Sequence, residues 1–180
     1  AQTPLLHMAF HASRAADPQS LHLTMLMSIL TGGESSRLHR LLVEEEALAL
    51  SVDGWWGAWL DPGLAYFFLT LPPGGDLETV ERRMLEELRR VAEEGVTDAE
   101  LQKARNIIAS DIYRQLATIR GKADSIGEYE VFYGDYEALF HVPARIENIT
   151  ADQLRETASA IFDDDNMTVG LLFAPPEGEE

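Results

Sequence analysis

Apolar positions along the chain switch between two periods. Leu5 to Phe10, LLHMAF, is a short apolar run with mixed alternation, and it predicts a strand. From Pro18 onward, Leu21, Met25, Ser28 and Ile29 fall on one helical face. Asp17 is the expected N-cap with Pro18 at the first helical position, and Gly32 and Gly33 end the helix. Ser35 or Ser36 is placed to cap the next helix, where Leu38, Leu41, Leu42 and Val43 recur at helical spacing. Leu48 to Leu60 reads as a strand interrupted by Gly54 and Gly57, and a strand glycine marks a bulge or a close backbone approach. Asp61-Pro62-Gly63 is a turn, and the aromatic run Leu64 to Leu71 folds back from it as a hairpin partner.

The second half is helical. Asp76 caps a helix whose buried stripe is Leu77, Val80, Met84, Leu88 and Val91, and Gly95 stops it. Thr97 and Glu100 have the spacing of a capping box, and Leu101, Ala104, Ile108, Ile112 and Leu116 form the inner face behind it. A further helical stretch covers 119–135 and breaks near Gly134. Tyr136 to Ile149 reads as a short helix and connector, and Thr150 caps another helix. Asn166 to Pro175 closes the chain as a strand. The order is strand, two helices, two strands, several helices, strand. It predicts an α+β domain, with helices layered on one face of a largely antiparallel sheet. Four strands are visible. There is no internal repeat and no linker, so 1–174 reads as one domain and 175–180 as a disordered tail.

Composition narrows the partners. The chain has 180 residues, and 14 Lys and Arg stand against 31 Asp and Glu, a net charge of −17. Such a surface repels phosphate backbones and anionic lipid faces, so neither nucleic acid nor a membrane is an expected partner. The acidity keeps the protein soluble and weakly favours cationic peptides. With no cysteine, disulfides, thiolate nucleophiles and Cys-based zinc sites are excluded. No run approaches the roughly 20 apolar residues that cross a bilayer, and no signal peptide is recognisable. Ala1 stands without an initiator Met directly before a strand, which reads as a processed protein or a segment of a longer one.

The candidate chemistry is thin. His7 and His11 are four apart, but in a strand that separation is about 13 Å, too far for two ligands on one zinc ion. Met8, Ala9 and Phe10 occupy the places where a general-base Glu would stand. His22, His39 and His141 lie on helices without acidic or histidine neighbours at metal spacing. Glu44 to Glu46 reads as a solvated helix face. Asp163 to Asp165 reads as the turn before the last strand, since the Gly and distal Glu of a calcium loop are missing. Gly32 to Ser36, GGESS, lacks the Lys of a phosphate loop, and no G-x-S-x-G elbow occurs. Alternation puts Trp55 and Trp59 on one face and Trp56 on the other. One set packs the core, and the other is left exposed, at an interface or along a peptide groove. No residue is assigned a catalytic, cofactor-binding or metal-binding role.

Three segments carry a resemblance. Leu26 to Val52 (LMSILTGGESSRLHRLLVEEEALALSV), Gly95 to Ile112 (GVTDAELQKARNIIASDI) and Ile146 to Pro175 resemble, in order and spacing, the pitrilysin/insulinase-type zinc metallopeptidases, the inverzincins. The mitochondrial processing peptidase and the core proteins of the respiratory bc1 complex are related to these. The resemblance implies paired homologous units, with zinc held by H-x-x-E-H and a distal Glu in the first. This chain has no H-x-x-E-H, so it resembles the later, metal-free unit, often called the inactive domain. In many active relatives that unit supplies an Arg and a Tyr, seven apart in R-x-x-x-G-L-A-Y, to hold the scissile carbonyl. Here Val43 and Leu50 stand at those places, and neither side chain can donate a hydrogen bond.

The resemblance therefore implies a non-catalytic C-terminal domain of a zinc metalloendopeptidase, forming one wall of a peptide chamber. Peptide would add along a sheet edge where Gly54 and Gly57 allow close approach. The zinc would reside in the N-terminal unit of the parent or in a partner subunit. The expected partners are a peptide substrate, the homologous zinc-bearing domain or subunit, and a homo- or hetero-oligomer. The alternative is a structural or assembly subunit of the same family without proteolysis, and a third reading is an unrelated α+β binding domain. Bacterial relatives are often exported to the periplasm; the residues themselves leave the compartment open.

Overall fold

A computed structural model describes residues 3–173. Its frame is a four-stranded antiparallel sheet in the order β2-β3-β1-β4, with β1 Leu5–Ala12, β2 Ser51–Trp56, β3 Gly63–Thr70 and β4 Met167–Leu172. Between β1 and β2 run α1 Ser20–Thr31 and α2 Arg37–His39, which passes directly into a π-helical turn, Arg40–Glu45. Between β3 and β4 run α3 Leu77–Glu94, α4 Asp98–Leu116, α5 Ile119–Tyr133, α6 Ala138–Glu147 and α7 Ala151–Ile161. This is the expected α+β arrangement. The tail read at 175–180 lies outside the described residues.

Period-two patterning separates the two faces of the sheet. On one face Leu6, Met8 and Phe10 of β1 stand beside Leu69, Phe67 and Ala65 of β3, and all six are buried. Helices cover this face, with α7 packed on β1 and α1 on β2. On the other face His7 pairs across to Phe68, Ala9 to Tyr66 and Leu5 to Thr70, and none of the six is buried. Burying the first set, at roughly 1.5–3 kcal/mol for each large side chain, fixes the register, because a one-residue slip would turn all of it to water.

The helices start where short polar side chains satisfy their free N–H groups. Asp76, Thr97 and Thr150 cap α3, α4 and α7, and the last two form capping boxes with Glu100 and Gln153. The first helix departs from the reading. It begins at Ser20, and Asp17 Oδ1 instead accepts from Gln19 N at 2.8 Å in the preceding turn. Nor is it one-sided, since Leu21, Leu23, Met25, Leu26, Met27, Ile29 and Leu30 are all buried. The cause is its place between β2 on one side and α4 and α7 on the other. Thr24 and Thr31 are tolerated there because each hydroxyl donates back to a carbonyl four residues earlier, at 3.0 Å.

The strand expected over Leu48 to Leu60 is shorter. Leu48 N and Ala49 N both donate to Leu42 O, at 2.8 and 2.9 Å, so these residues close the π-helical turn before pairing begins. After Trp56 the chain leaves the sheet, and Ala15 N donates to Trp59 O at 2.8 Å. Ser36 stands at the N-cap of α2 without a side-chain capping bond, and its hydroxyl is buried without a partner.

Candidate functional site

Two of the segments that carry the resemblance meet at one side chain. Arg37, next to the N-cap of α2, is only 12% exposed. Its Nε donates to Glu100 Oε1 at 2.6 Å, and Nη2 donates to Glu100 Oε2 at 2.8 Å and to the Gly95 carbonyl at 3.1 Å. Nη1 reaches Glu87 Oε1 at 3.3 Å. Lys103 Nζ adds a second tie, to Ser35 O at 3.0 Å and Ser35 Oγ at 2.6 Å. Burial pushes the Glu100 carboxyl up, but hydrogen bonds from Arg37 and then Thr97 outweigh it and hold the group at about 2. The Gly-rich corner is thus clamped to the start of α4.

The corner then shapes the approach to β2. Val43 lies in the π-helical turn, half-buried against the core. Ala47 takes a left-handed φ of 50° at the position where the R-x-x-x-G-L-A-Y pattern has glycine. Leu50 follows at the start of the strand, 58% exposed, with its N–H donating to Thr70 O at 2.7 Å. So the main chain of the corner is ordered by hydrogen bonds, while the Val43 and Leu50 side chains bring no donor to it.

The glutamates beside it are more engaged than a solvated face would require. Arg83 grips Glu46 from Nε at 2.9 and 3.0 Å and also pairs with Glu86. Hydrogen bonding from Arg83 holds the Glu46 carboxyl below its usual range. Arg40 pairs with Glu45 at 3.1 Å, and His39 lies 3.8 Å from Glu44, an acidic neighbour that the helical spacing did not reveal. Asp163 to Asp165 forms the expected turn, in which Asp163 accepts from Asp165 N at 2.9 Å and Arg89 pairs with Asp164 at 2.7 Å.

The open face of the sheet carries the most distinctive surface. His7 meets Phe68 edge-on at 4.8 Å, Phe68 stacks with Tyr66 at 5.8 Å, and Tyr66 stacks with Trp55 at 5.8 Å. Trp55 meets Trp59 at 6.2 Å, and Trp59 meets Phe132 of α5 at 6.2 Å. Rings therefore run without a break from β1 across β3 and β2 to α5. Trp55 and Trp59 share this side as alternation predicts, although Trp59 reaches it from a loop. Trp56 points the other way, and its Nε1 donates to Thr24 Oγ1 at 3.1 Å. Gly54 and Gly57 make room for the chain itself rather than for a ligand. A Cβ on Gly54 would stand 2.6 Å from Thr31 Oγ1 and 2.8 Å from Met27 Cε, and one on Gly57 would meet the Trp55 and Trp59 rings.

The histidines stay apart. His7 and His11 are exposed on the open face, opposite Phe68 and Leu64. His22 Nδ1 lies 3.0 Å from Thr157 Oγ1, and burial lowers its pKa, with Arg145 acting in the same direction. Among the described residues no three His, Asp or Glu side chains converge as a metal-ligand set. No described helix is long and apolar enough to cross a membrane.

A helix-backed antiparallel sheet with one bare aromatic face and a clamped corner defines an α+β domain that offers a surface. Comparison with known proteins gives the family. Residues 1–108 match the peptidase M16 inactive domain, and the chain belongs to that family. A Rickettsia bellii protein named "uncharacterized zinc protease" is 28% identical over 162 residues, which cover 89% of this chain and 39% of that protein. The chain thus spans about two fifths of this relative's length. A crystal structure described as the inactive peptidase domain of a zinc protease from Bordetella parapertussis superposes with a TM-score of 0.87. The identity is 26%, covering 100% of this chain and 95% of that one. A chain in complex III of Candida albicans shares the fold, with a TM-score of 0.80 and 15% identity, over 95% of this chain and 43% of that one.

Proposed function

We propose that this chain is the non-catalytic C-terminal domain of a zinc metalloendopeptidase and forms one wall of its peptide chamber, opposite a zinc-bearing unit. The observation that carries this reading is the bare sheet face, with its unbroken row of rings from His7 to Trp59. Such a face gives a peptide broad apolar contact and some polar edges, as ligand surfaces do. Family membership and the zinc-protease names of relatives support the setting. The zinc belongs to the N-terminal unit of the parent or to a partner subunit. With Val43 and Leu50 at the corner, hydrogen bonds to the scissile carbonyl come from another segment.

The test is reconstitution. The chain and a zinc-bearing unit of the parent are purified separately, and cleavage of a fluorogenic peptide library is followed for each and for the mixture. The mixture is expected to cleave, and Tyr66→Ala with Phe68→Ala is expected to raise KM. Chelator-sensitive cleavage by this chain alone would overturn the reading. A second reading, a structural or assembly subunit without proteolysis, is favoured by the loss of donors at Val43 and Leu50 and by the fold shared with a complex III chain. A stable complex of the two units that cleaves nothing would select it.

A further inference from the structure

The row of rings does not end on the sheet. Past Trp59 it turns the β2 edge into an open groove of about 710 Å³ between the end of β2 and helices α1, α4, α5 and α6. Trp55, Trp59 and Phe132 wall one side, and Tyr129 and Tyr133 stand on α5 with their rings stacked at 4.4 Å. Among the described residues one acidic side chain, Glu128, lines the groove, and no Lys or Arg does. Glu128 is exposed and takes part in none of the ion pairs among the described residues. Arg114, in the adjoining recess, is paired with Asp111, and Arg145 acts electrostatically on both tyrosines without lining the groove.

We propose that this groove is a side-chain pocket for a lysine or arginine of a bound peptide, with the ammonium or guanidinium group against Glu128 and the ring faces around it. The proposal rests on the reading that the open sheet face holds peptide, and it adds which residue the peptide presents. Charge complementarity selects the occupant. An unpaired carboxylate at an aromatic wall attracts a cation both by its own charge and through the negative faces of the rings. The chain's net charge of −17 draws basic peptides and repels acidic ones before contact. The volume lies within the range of small-ligand sites and holds a long side chain along its methylene stem. Partial desolvation raises the Glu128 carboxyl above its usual value, and a cation against it acts in the opposite direction.

Isothermal titration of the whole chain with three capped nonapeptides tests this. They share an alanine-serine background and differ at the central residue, which is lysine, norleucine or glutamate. The lysine peptide is expected to bind about tenfold more tightly than the norleucine peptide at low salt, and the glutamate peptide more weakly than either. Glu128→Gln, an exposed and isosteric change, is expected to bring the lysine and norleucine affinities within about twofold of each other. Phe132→Ala is expected to weaken both. Equal binding of lysine and norleucine by the unmodified chain sinks the pocket but leaves the peptide-wall reading standing. A lysine preference that survives Glu128→Gln also sinks it. Absence of binding by every peptide counts against both. A dimer in sedimentation that Phe132→Ala dissociates would assign the groove to a second copy and overturn the proposal.

Discussion

Replacing Arg37 by methionine tests whether the corner clamp holds the domain together. The substitution keeps most of the stem and removes the charge. It leaves Glu87, 6% exposed, with Arg90 at 3.3 Å as its remaining cation, and Glu100 without its fork. Removing one partner of a buried pair costs about 3–5 kcal/mol. Glu100 is 27% exposed and retains Thr97 as a donor, so the low end applies. The acid side gives a matching figure. Depression of Glu100 from 4.5 to about 2 is worth about 3 kcal/mol at ~1.4 kcal/mol per pKa unit, and Thr97 supplies a share of it. A loss of about 3 kcal/mol lowers Tm by roughly 6–12 °C in a domain of this size.

The pH dependence separates this cause from simple loss of packing. A carboxylate depressed in the folded state stabilises above its unfolded value of 4.5, and that contribution disappears as pH falls toward about 2. In Arg37→Met the Glu100 carboxylate, without its fork, is most harmful at pH 7 and is relieved when protonated. The gap between the two proteins is therefore expected to be widest near pH 7 and to narrow steadily from pH 5 to pH 2.5. Urea unfolding followed by circular dichroism, at matched ionic strength, reads both quantities. A gap below 1 kcal/mol at pH 7, or one of unchanged size at pH 2.5, would refute the reasoning.

Gly54→Ala is expected to destabilise by about 1–3 kcal/mol in the same assay, because its methyl group meets Thr31 and Met27 where α1 crosses β2. Trp56→Phe removes the donor to Thr24 Oγ1 and is expected to cost about 1 kcal/mol, with little change in binding to the open face. Ala47→Gly is expected to stabilise by about 0.5 kcal/mol, the left-handed cost of alanine (~1–2 kcal/mol) exceeding the added freedom of glycine in the unfolded chain. A lowered Tm for that variant would show that the Ala47 methyl is needed by its neighbours.

Sequence patterning revealed what depends on neighbours along the chain. The stripe Val80, Met84, Leu88 and Val91, the capping boxes at Thr97 and Thr150, and the split of Trp55 from Trp56 all follow from local spacing. What it could not reveal depends on packing between distant segments. A 3.6-residue period finds one apolar face of α1, but nothing in that helix says that a sheet and two helices lie on opposite sides of it. Arg37 reads as one more surface cation until chain folding brings Glu87 and Glu100 to it from 50 and 63 residues away. The Trp59 side chain lies beyond the strand, so alternation gave its side without the loop that puts it there. The resemblance compensated in part, because two of its segments supply the clamp. The groove at Glu128 left no local signal, since its walls come from β2, α1, α4, α5 and α6.

The distribution of exposed apolar surface argues that this domain is built to be covered. Its core face buries the large side chains of β1 and β3 almost completely, yet Trp55 and Trp59 remain 49% and 51% exposed. At the opposite edge, Leu171 and Leu172 of β4 and Phe173 after it are 45%, 51% and 59% exposed, and among the described residues β4 pairs on one side only. An edge strand with bare apolar residues invites association, and a solitary domain would blunt it with charge or proline. Charged side chains are abundant, and most of them lie on the helices, where many pair with one another, as in the clamp at Arg37 and the Arg83 fork. The acidic surface works against general aggregation while one face and one edge of the sheet keep exposed apolar side chains. That division is what the proposed peptide-chamber wall would need, one face for a peptide and one edge for a second unit. The corner at Val43 and Leu50 ties into the same sheet through its main chain, where Leu50 N donates to Thr70 O at 2.7 Å.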